Sequence, residues 1–451
     1  MENNRVIQQR PLIDTSYYRI IGGRSLSGSV SVPGAKNAAL PAIVAACLSD
    51  ESVILENVPL KLNDVKLLID LLVSVGAEIE KLDHSTLKIN GLNINGGILD
   101  SHKAGSIRHS LLLLGLCASR RKPLFLPIPG GCNIGNRKHD LHILALERIG
   151  YSVKETELGI ELNSEWEKPT QNILEIDFHY PTFGGTLNAI FASVLLFGKE
   201  VIIRNPAKNP EVLDVIHLLN KMGAKISWDD SQNLRIVGVD KLASASHQIM
   251  GDRIIAATMI VAIGATNGTG IVKGSDIQYL RTEIDVWRRA GLTIEQVDNG
   301  IFVKGTDEIK AVSIETNAYP AFHTDIQPLH GVLLTKAKGS ATIKDIILDG
   351  RFKYCYELKK LGAKIEVRDG NFTCVNGAPG QVAFFETTDK LIGSPDLIAT
   401  DIRGGAAVVI GALLAEGESR VTNIYQIERG YANLPEMLKE LGADIERVIK
   451  E

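Results

Sequence analysis

The sequence has no long apolar run, no marked excess of either charge and no regular spacing of cysteines. No stretch approaches the roughly 20 apolar residues of a membrane-spanning helix, and residues 1–5 lack the apolar centre of a secretory signal. We therefore expect a cytoplasmic protein with no membrane partner. The net charge of −4, from 49 Lys and Arg against 53 Asp and Glu, provides no basic surface for nucleic acid.

The five cysteines show neither the spacing of metal ligands nor that of a disulfide framework. The sequence therefore predicts no metal site, and nothing in it calls for a cofactor. Cys47 and Cys117 fall in apolar stretches, where a thiol usually behaves as a small inert hydrophobic group.

One local pattern recurs six times along the chain. An amphipathic helical stretch ends at a glycine and is followed by a short alternating strand, as in Ala77–Glu80 and Ala363–Glu366. A glycine in the left-handed conformation is a common helix terminator, so each corner predicts a helix end and a turn into a strand. The corner glycines recur at intervals of 68 to 80 residues and are Gly76, Gly150, Gly223, Gly291, Gly362 and Gly442. The pattern predicts six repeats of about seventy residues.

A second apolar helix lies within each repeat. These helices have almost no polar face, which predicts burial, and they are too short to cross a bilayer. The predicted helices are Ala38–Leu48, Ser110–Ala118, Ala189–Phe197, Ile254–Ala265, Pro328–Ala337 and Gly404–Ala415. Strands and helices in alternation indicate an α/β layer architecture. The length favours two domains of three repeats each, with boundaries at 34–249 and at 1–33 plus 250–451.

The segment Pro129–Arg137 contains three glycines and a cysteine, and its composition predicts a loop. Arg137 and Lys138, with two arginines upstream, would favour the thiolate form of Cys132. Two interpretations remain open from these residues: a reactive thiol, or a surface loop that happens to contain a cysteine.

Four separated motifs resemble those of the enolpyruvyl transferase family and occur in the same order. They are Gly34–Pro41, the Cys132 loop continuing to His142, Phe322–Gln327 and Ile427–Tyr431. The resemblance extends from about Ile20 to the C-terminus. It implies a two-domain inside-out α/β barrel with three repeats per domain, and it implies transfer of the enolpyruvyl group of phosphoenolpyruvate to a hydroxyl group.

The resemblance also implies the site residues. Asp325 corresponds to the general base and Cys132 to a loop cysteine that donates a proton or assists product release. Cys132, Asp325, Lys36 and Arg429 are the expected catalytic residues. Those expected to bind phosphoenolpyruvate are Lys36, Arg108, Arg137, Arg403 and Arg429. Those expected to bind the acceptor are Asn37, Arg137, Asp140, Leu141, Thr182, Gly184, Asp325 and Ile347. For Asp325, helix capping is an alternative role that the sequence also allows.

The acceptor region departs from the family pattern at several positions. Tyr180 and Phe183 lie where the family has a lysine and a valine, and His323 lies where proline is common. Lys138, His139 and Asp349 differ as well. The expected acceptor is the 3-hydroxyl of UDP-N-acetylglucosamine. UMP or a modified UDP-sugar is the alternative, and a non-catalytic binding protein is a third possibility. The sequence predicts no oligomeric state.

Overall fold

A computed structural model describes residues 16–128, 130 and 138–449, in which helices and strands alternate. The α-helices are α1 (Lys36–Ala46), α2 (Asn63–Ser74), α3 (Ser101–Ser106), α4 (Leu112–Ser119), α5 (Asp140–Arg148), α6 (Phe183–Ser193), α7 (Pro210–Lys221), α8 (Arg253–Ala265), α9 (Arg281–Arg289), α10 (Gln327–Leu334), α11 (Lys353–Lys360), α12 (Ile402–Leu414), α13 (Tyr425–Glu428) and α14 (Leu434–Glu440). Two short 3₁₀ helices span Arg108–Leu111 and Ile277–Leu280.

The strands of the described part are short and numerous. They are β1 (Tyr17–Gly22), β2 (Ser27–Ser31), β3 (Val53–Glu56), β4 (Glu78–Lys81), β5 (Leu87–Asn90), β6 (Gly97–Ile98), β7 (Leu124–Pro127), β8 (Tyr151–Thr156), β9 (Gly159–Trp166), β10 (Ile173–Asp177), β11 (Glu200–Arg204), β12 (Lys225–Trp228), β13 (Leu234–Val237), β14 (Ala245–Gln248), β15 (Thr269–Lys273), β16 (Thr293–Val297), β17 (Gly300–Lys304), β18 (Ile314–Thr316), β19 (Ala341–Asp345), β20 (Ile365–Thr373), β21 (Pro379–Phe385), β22 (Leu397–Ile398), β23 (Gly417–Thr422) and β24 (Asp444–Val448).

Within the described residues these strands form six four-stranded sheets of one topology. The strand orders are β14-β3-β5-β4, β6-β7-β9-β8, β10-β11-β13-β12, β2-β15-β17-β16, β18-β19-β21-β20 and β22-β23-β1-β24. In each sheet the first two strands are parallel and the other neighbours are antiparallel, as β10, β11, β13 and β12 illustrate. Strands β1 and β2 join sheets otherwise built from the last two hundred residues, so the N-terminal segment packs with the C-terminal part of the chain.

The glycine corners adopt the backbone conformation that the sequence predicts. Each of the six glycines has a positive φ, between 87° at Gly442 and 108° at Gly291. Glycine occupies this region without the steric cost that a Cβ atom imposes. Each corner therefore ends a helix and turns the chain toward the next strand.

The apolar helices are buried, and they are α1, α4, α6, α8, α10 and α12. The predicted bounds are wrong for α6, which begins at Phe183 and ends at Ser193 rather than spanning Ala189–Phe197. The backbone N–H of Gly185 donates to Thr182 Oγ1 at 3.3 Å, so Thr182 caps a helix that starts six residues earlier than predicted. Phe197, at the predicted end, is largely exposed.

Two separate hydrophobic cores fill the described part of the chain. One contains residues between Ala35 and Ile249, and the other combines Tyr18–Val32 with residues between Ile254 and Ile445. We propose that these cores correspond to two lobes bounded at 34–249 and at 1–33 plus 250–451.

The chain passes between the two cores twice, at neighbouring positions. Gly34 and Gly251 form an antiparallel bridge there. The N–H of Ala35 donates to the carbonyl of Met250 at 2.8 Å, and the N–H of Asp252 donates to the carbonyl of Pro33 at 2.9 Å. A Cβ atom at Gly34 would lie 1.7 Å from the carbonyl oxygen of Asn57, so only glycine allows this close approach.

Among the described helices, none has the length and apolar character that crossing a bilayer requires. Cys47 and Cys117 are buried, and burial raises the pKa of each thiol to about 12. These two cysteines are therefore inert core residues, as predicted.

Candidate active site

A cleft of about 460 Å³ lies between the two cores and contains charged residues from both. Every predicted site residue within the described ranges lines it. These residues are Lys36, Asn37, Arg108, Asp140, Leu141, Thr182, Gly184, Asp325, Ile347, Arg403 and Arg429. Cys132 and Arg137, the other two predicted residues, lie outside the described residues.

Most of the charged side chains that line the cleft lie in the first turns of helices. Lys36 begins α1, Asp140 begins α5 and Arg253 begins α8, while Arg403 is the second residue of α12. The N-terminus of a helix carries a partial positive charge and free backbone N–H groups. A cleft onto which several helices open in this way favours anionic ligands even before the side chains are counted.

Lys36 and Arg429 share one carboxylate, that of Asp64. The distance from Lys36 Nζ to Asp64 Oδ2 is 3.2 Å, and that from Arg429 Nε to Asp64 Oδ1 is 3.3 Å. Burial opposes ionisation of Asp64, but the charges of Lys36, Arg429 and, more weakly, His109 outweigh it and hold its pKa below the usual value. Because Lys36 and Asp64 belong to one core and Arg429 to the other, this cluster joins the two across the cleft.

Asp325 lies in a second charged cluster. Its carboxylate pairs with Arg351 and, at 3.4 Å, with Arg403 Nε. Arg351 also contacts Asp401, which caps α12 by accepting from the backbone N–H of Arg403. Helix α10 begins at Gln327 with no side-chain cap at its N-cap position, so the geometry does not support the capping role that the sequence allowed for Asp325.

The loop that carries Asp325 is bonded to the loop that carries Ile347. Buried Asp345 accepts a hydrogen bond of 2.6 Å from Thr324 Oγ1 and one of 2.9 Å from the backbone N–H of Ile347. A single carboxylate therefore positions both loops on the cleft wall.

The opposite wall is formed by the starts of α5 and α6. Asn188 of α6 contacts His142 of α5 at 2.7 Å, between the amide nitrogen and Nδ1. Burial, together with Arg108, lowers the pKa of His142 to about 3, so the imidazole is neutral. A Cβ atom at Gly184 would lie 2.5 Å from the His142 ring, which explains why glycine is required where the two helices meet.

The positions at which the sequence departs from the family pattern do not all face the cleft. Lys138, Tyr180 and Phe183 line it, and the carbonyl of Lys138 accepts a hydrogen bond of 2.6 Å from Arg108. His139 does not line the cleft, and its Nε2 lies 2.7 Å from Glu155. Asp349 is set back from the cleft and accepts a hydrogen bond of 2.6 Å from Asn376, which does line it.

Sequence reasoning missed four charged residues of the cleft: Asp64, Glu211, Arg253 and Arg351. Arg351 is fully buried, and Glu211 and Arg253 form a buried pair at 2.9 Å. A charged residue directly before a fully apolar helix was a usable signal for Arg253. Asp64 gave no such signal, because an acidic residue in the first turn of an amphipathic helix is ordinary.

The sequence matches a known protein family over nearly its whole length. The sequence model of the family described as EPSP synthase (3-phosphoshikimate 1-carboxyvinyltransferase) matches residues 20–438. The chain belongs to this enolpyruvyl transferase family. A relative from Afipia carboxidovorans, named UDP-N-acetylglucosamine 1-carboxyvinyltransferase, is 38% identical over 442 residues, which is 95% of this chain and 99% of the relative. A relative of the same name from Finegoldia magna is 35% identical and covers 94% of this chain and 97% of its own length.

Solved structures of enolpyruvyl transferases share the fold. The enolpyruvyl transferase NikO from Streptomyces tendae superposes with a TM-score of 0.84 at 21% identity, over 97% of this chain and all of NikO. An EPSP synthase from Acinetobacter baumannii superposes with a TM-score of 0.71 at 15% identity, over 96% of this chain and all of that enzyme. The predicted family and the inside-out α/β fold class are confirmed.

Proposed function

We propose that this enolpyruvyl transferase transfers the enolpyruvyl group of phosphoenolpyruvate to the 3-hydroxyl of UDP-N-acetylglucosamine and releases phosphate, a step of peptidoglycan synthesis. One observation carries the proposal: Lys36, Arg403 and Arg429 meet Asp325 in a single cleft. Supporting it, relatives named for this reaction are 35% to 38% identical over nearly the whole chain.

The cations of the cleft suit phosphoenolpyruvate, which carries a phosphate and a carboxylate. Lys36 and Arg429 lie together around Asp64, and Arg403 lies beside Asp325. Guanidinium groups bind both anions with two parallel hydrogen bonds, and an ammonium group adds a compact charge. In the proposal Arg108 and Arg137 complete this set.

The reaction proceeds by addition and elimination. A proton, which we assign to Cys132, adds to the methylene carbon of phosphoenolpyruvate, and the acceptor oxygen bonds to the neighbouring carbon as its own proton passes to Asp325. Removal of a proton from the new methyl group and cleavage of the carbon–oxygen bond to phosphate then restore the double bond. In this scheme Arg351 and Arg403 hold the Asp325 carboxylate in place.

Asp140 and Leu141 would hold the uracil of the acceptor, and Thr182 and Gly184 would lie near its phosphates. Asn37 and Ile347 complete the proposed acceptor site. A second candidate acceptor is UMP or a modified UDP-sugar, and the remodelled wall favours it. Tyr180 and Phe183 line the cleft where the family pattern has a lysine and a valine. Loss of a cation weakens binding of a second phosphate, and a bulky ring narrows the space beside it.

The deciding experiment measures phosphate release from phosphoenolpyruvate with UDP-N-acetylglucosamine and UMP in parallel, followed by mass analysis of the product. Enolpyruvyl-UDP-N-acetylglucosamine as the main product is the expected outcome. Product formed from UMP alone would establish the second candidate. Absence of phosphate release with both acceptors would contradict the proposed function and favour a binding role.

A further inference from the structure

His323 lies on the cleft wall two residues before Asp325, at a position where the family commonly has proline. Its ring is bonded to the backbone of the proposed base, because the N–H of Asp325 donates to His323 Nδ1 at 3.1 Å. The backbone N–H of His323 donates in turn to Glu283 at 2.9 Å. The first contact orients the ring, and the second fixes the backbone from which the ring projects.

The bond from Asp325 determines the tautomer of His323. A neutral imidazole has one donor and one acceptor nitrogen, so when Nδ1 accepts, the proton is on Nε2. Burial, reinforced by Arg253, Arg351 and Arg403 and opposed by Asp325, lowers the pKa of His323 to about 3. Within the described part of the chain, Nε2 has no hydrogen-bond partner, and the side chain borders the cleft. His323 is therefore an uncharged donor.

The surroundings of His323 differ from the end of the cleft around Lys36 and Arg429. Glu211 and Arg253 neutralise each other at 2.9 Å, and the Arg253 guanidinium lies 5.5 Å from the ring centre of Tyr319. Burial raises the pKa of neighbouring Glu283, and Arg253 opposes that shift. Arg253 is almost fully buried, and its Nη1 lacks a partner among the described residues. A wall of this kind offers donors without net charge, which suits hydroxyl and carbonyl oxygens better than phosphate.

We propose that His323 is a specificity-determining residue, whose Nε2–H donates a hydrogen bond to an uncharged oxygen of the acceptor, a hydroxyl or a carbonyl, beside Asp325. The inference rests on the proposed transfer reaction. Proline at this position offers no donor, so an enzyme with His323 gains a contact with the acceptor that the common family pattern lacks. Phosphoenolpyruvate, bound by the cations, does not use this contact.

Two substitutions separate this role from positioning of Asp325. In His323→Asn, the side-chain oxygen can still accept from the Asp325 N–H, as in an Asx turn, but no donor extends farther into the cleft. In His323→Gln, the longer amide places a donor near the position of Nε2 but does not reproduce the acceptor at Nδ1. His323→Asn therefore keeps the acceptor of the imidazole, whereas His323→Gln keeps its donor.

Steady-state kinetics with the acceptor that the wild type consumes give the first readout. We expect His323→Asn to raise the KM for the acceptor about tenfold, with much smaller changes in kcat and in the KM for phosphoenolpyruvate. His323→Gln should restore most of the lost acceptor affinity. The reverse pattern, with normal acceptor KM in His323→Asn and reduced kcat in His323→Gln, would overturn the proposal and leave His323 as a positioning residue for Asp325.

Calorimetric titration with UDP-N-acetylglucosamine and with UMP keeps the test independent of turnover. If the wild type binds an acceptor but releases no phosphate, the proposed function fails while weaker binding to His323→Asn still supports the role of His323. Equal binding by wild type and His323→Asn would overturn that role. Thermal unfolding of each variant, with a transition like that of the wild type, excludes a folding defect as the cause.

Discussion

The two charged clusters of the cleft are built in different ways. The cluster of Lys36, Asp64 and Arg429 takes its members from both cores, whereas the cluster of Asp325, Arg351, Asp401 and Arg403 comes from one core alone. The second cluster can form within a single lobe, but the first exists only when the two lobes meet. If the proposed roles are right, the base is held within one lobe, whereas the anion site depends on how the two lobes meet.

Exposure distinguishes the two carboxylates that contact Arg351. The side chain of Asp325 is 23% exposed, while that of Asp401 is 2% exposed and is used to cap α12. Only the more exposed carboxylate can reach a substrate in the cleft. Asp401 thus has a structural role and Asp325 is the candidate for chemistry.

The largest expected effect comes from the cluster that contains Asp325. We expect Asp325→Asn to lower kcat about a thousandfold, since the amide keeps the size of the side chain but cannot accept a proton. Phosphate release under saturating substrates measures the effect. Asp369→Asn, at an exposed position away from the cleft, is the control. Activity of Asp325→Asn within a few-fold of wild type would rule out Asp325 as the base.

A smaller effect is expected at the cluster that joins the cores. Asp64→Asn removes the charge that holds Arg429 near Lys36, so we expect the KM for phosphoenolpyruvate to rise about tenfold with a much smaller change in kcat. Asp70→Asn is the matched control, because Asp70 lies on the same helix in an exposed pair with Lys103 at 2.7 Å. A lower KM in Asp64→Asn would show instead that the carboxylate competes with the substrate for both cations.

The third comparison concerns stability toward acid in the two cores. Burial lowers the pKa of His142, in the first core region, to about 3, and those of His323 and His330, in the second, to about 3 and about 4. At pH values below about 6.5, the ordinary pKa of histidine, these side chains are protonated in the unfolded chain but stay neutral in the native state. The free energy of unfolding therefore falls as the pH decreases from about 6.5 toward the lowered pKa values.

Below pH 6.5 the free energy of unfolding should fall by about 1.4 kcal/mol per pH unit for each histidine. Two of these histidines lie in the second core region and one lies in the first. Denaturant unfolding at pH 7 and pH 5.5 measures it. His330→Asn should reduce the pH dependence by the contribution of one histidine. An unchanged dependence would mean that the pKa of His330 is the same in the native and the unfolded state.

Much of the architecture followed from local patterns. The glycine corners and the apolar helices were predictable because both depend on residues close together in the sequence. A glycine ends each amphipathic helix, and the buried helices are apolar on every face. The early start of α6 was not, because the pair Gly184–Gly185 is more typical of a loop, and only the structure shows that Thr182 caps a helix there. The eleven predicted site residues that line the cleft were chosen by resemblance to the family, and no periodicity would have found them.

The contacts that organise the cleft are not local. Arg429 and Asp64 are 365 residues apart in the chain, and Arg253 and Glu211 are separated by 42. Helix ends, strand pairing and burial depend on neighbours within a few residues, so they can be read from the order of amino acids. Which cation shares which carboxylate depends on how two cores meet, because a charge pair is set by distance in space and by burial, neither of which a sequence motif contains.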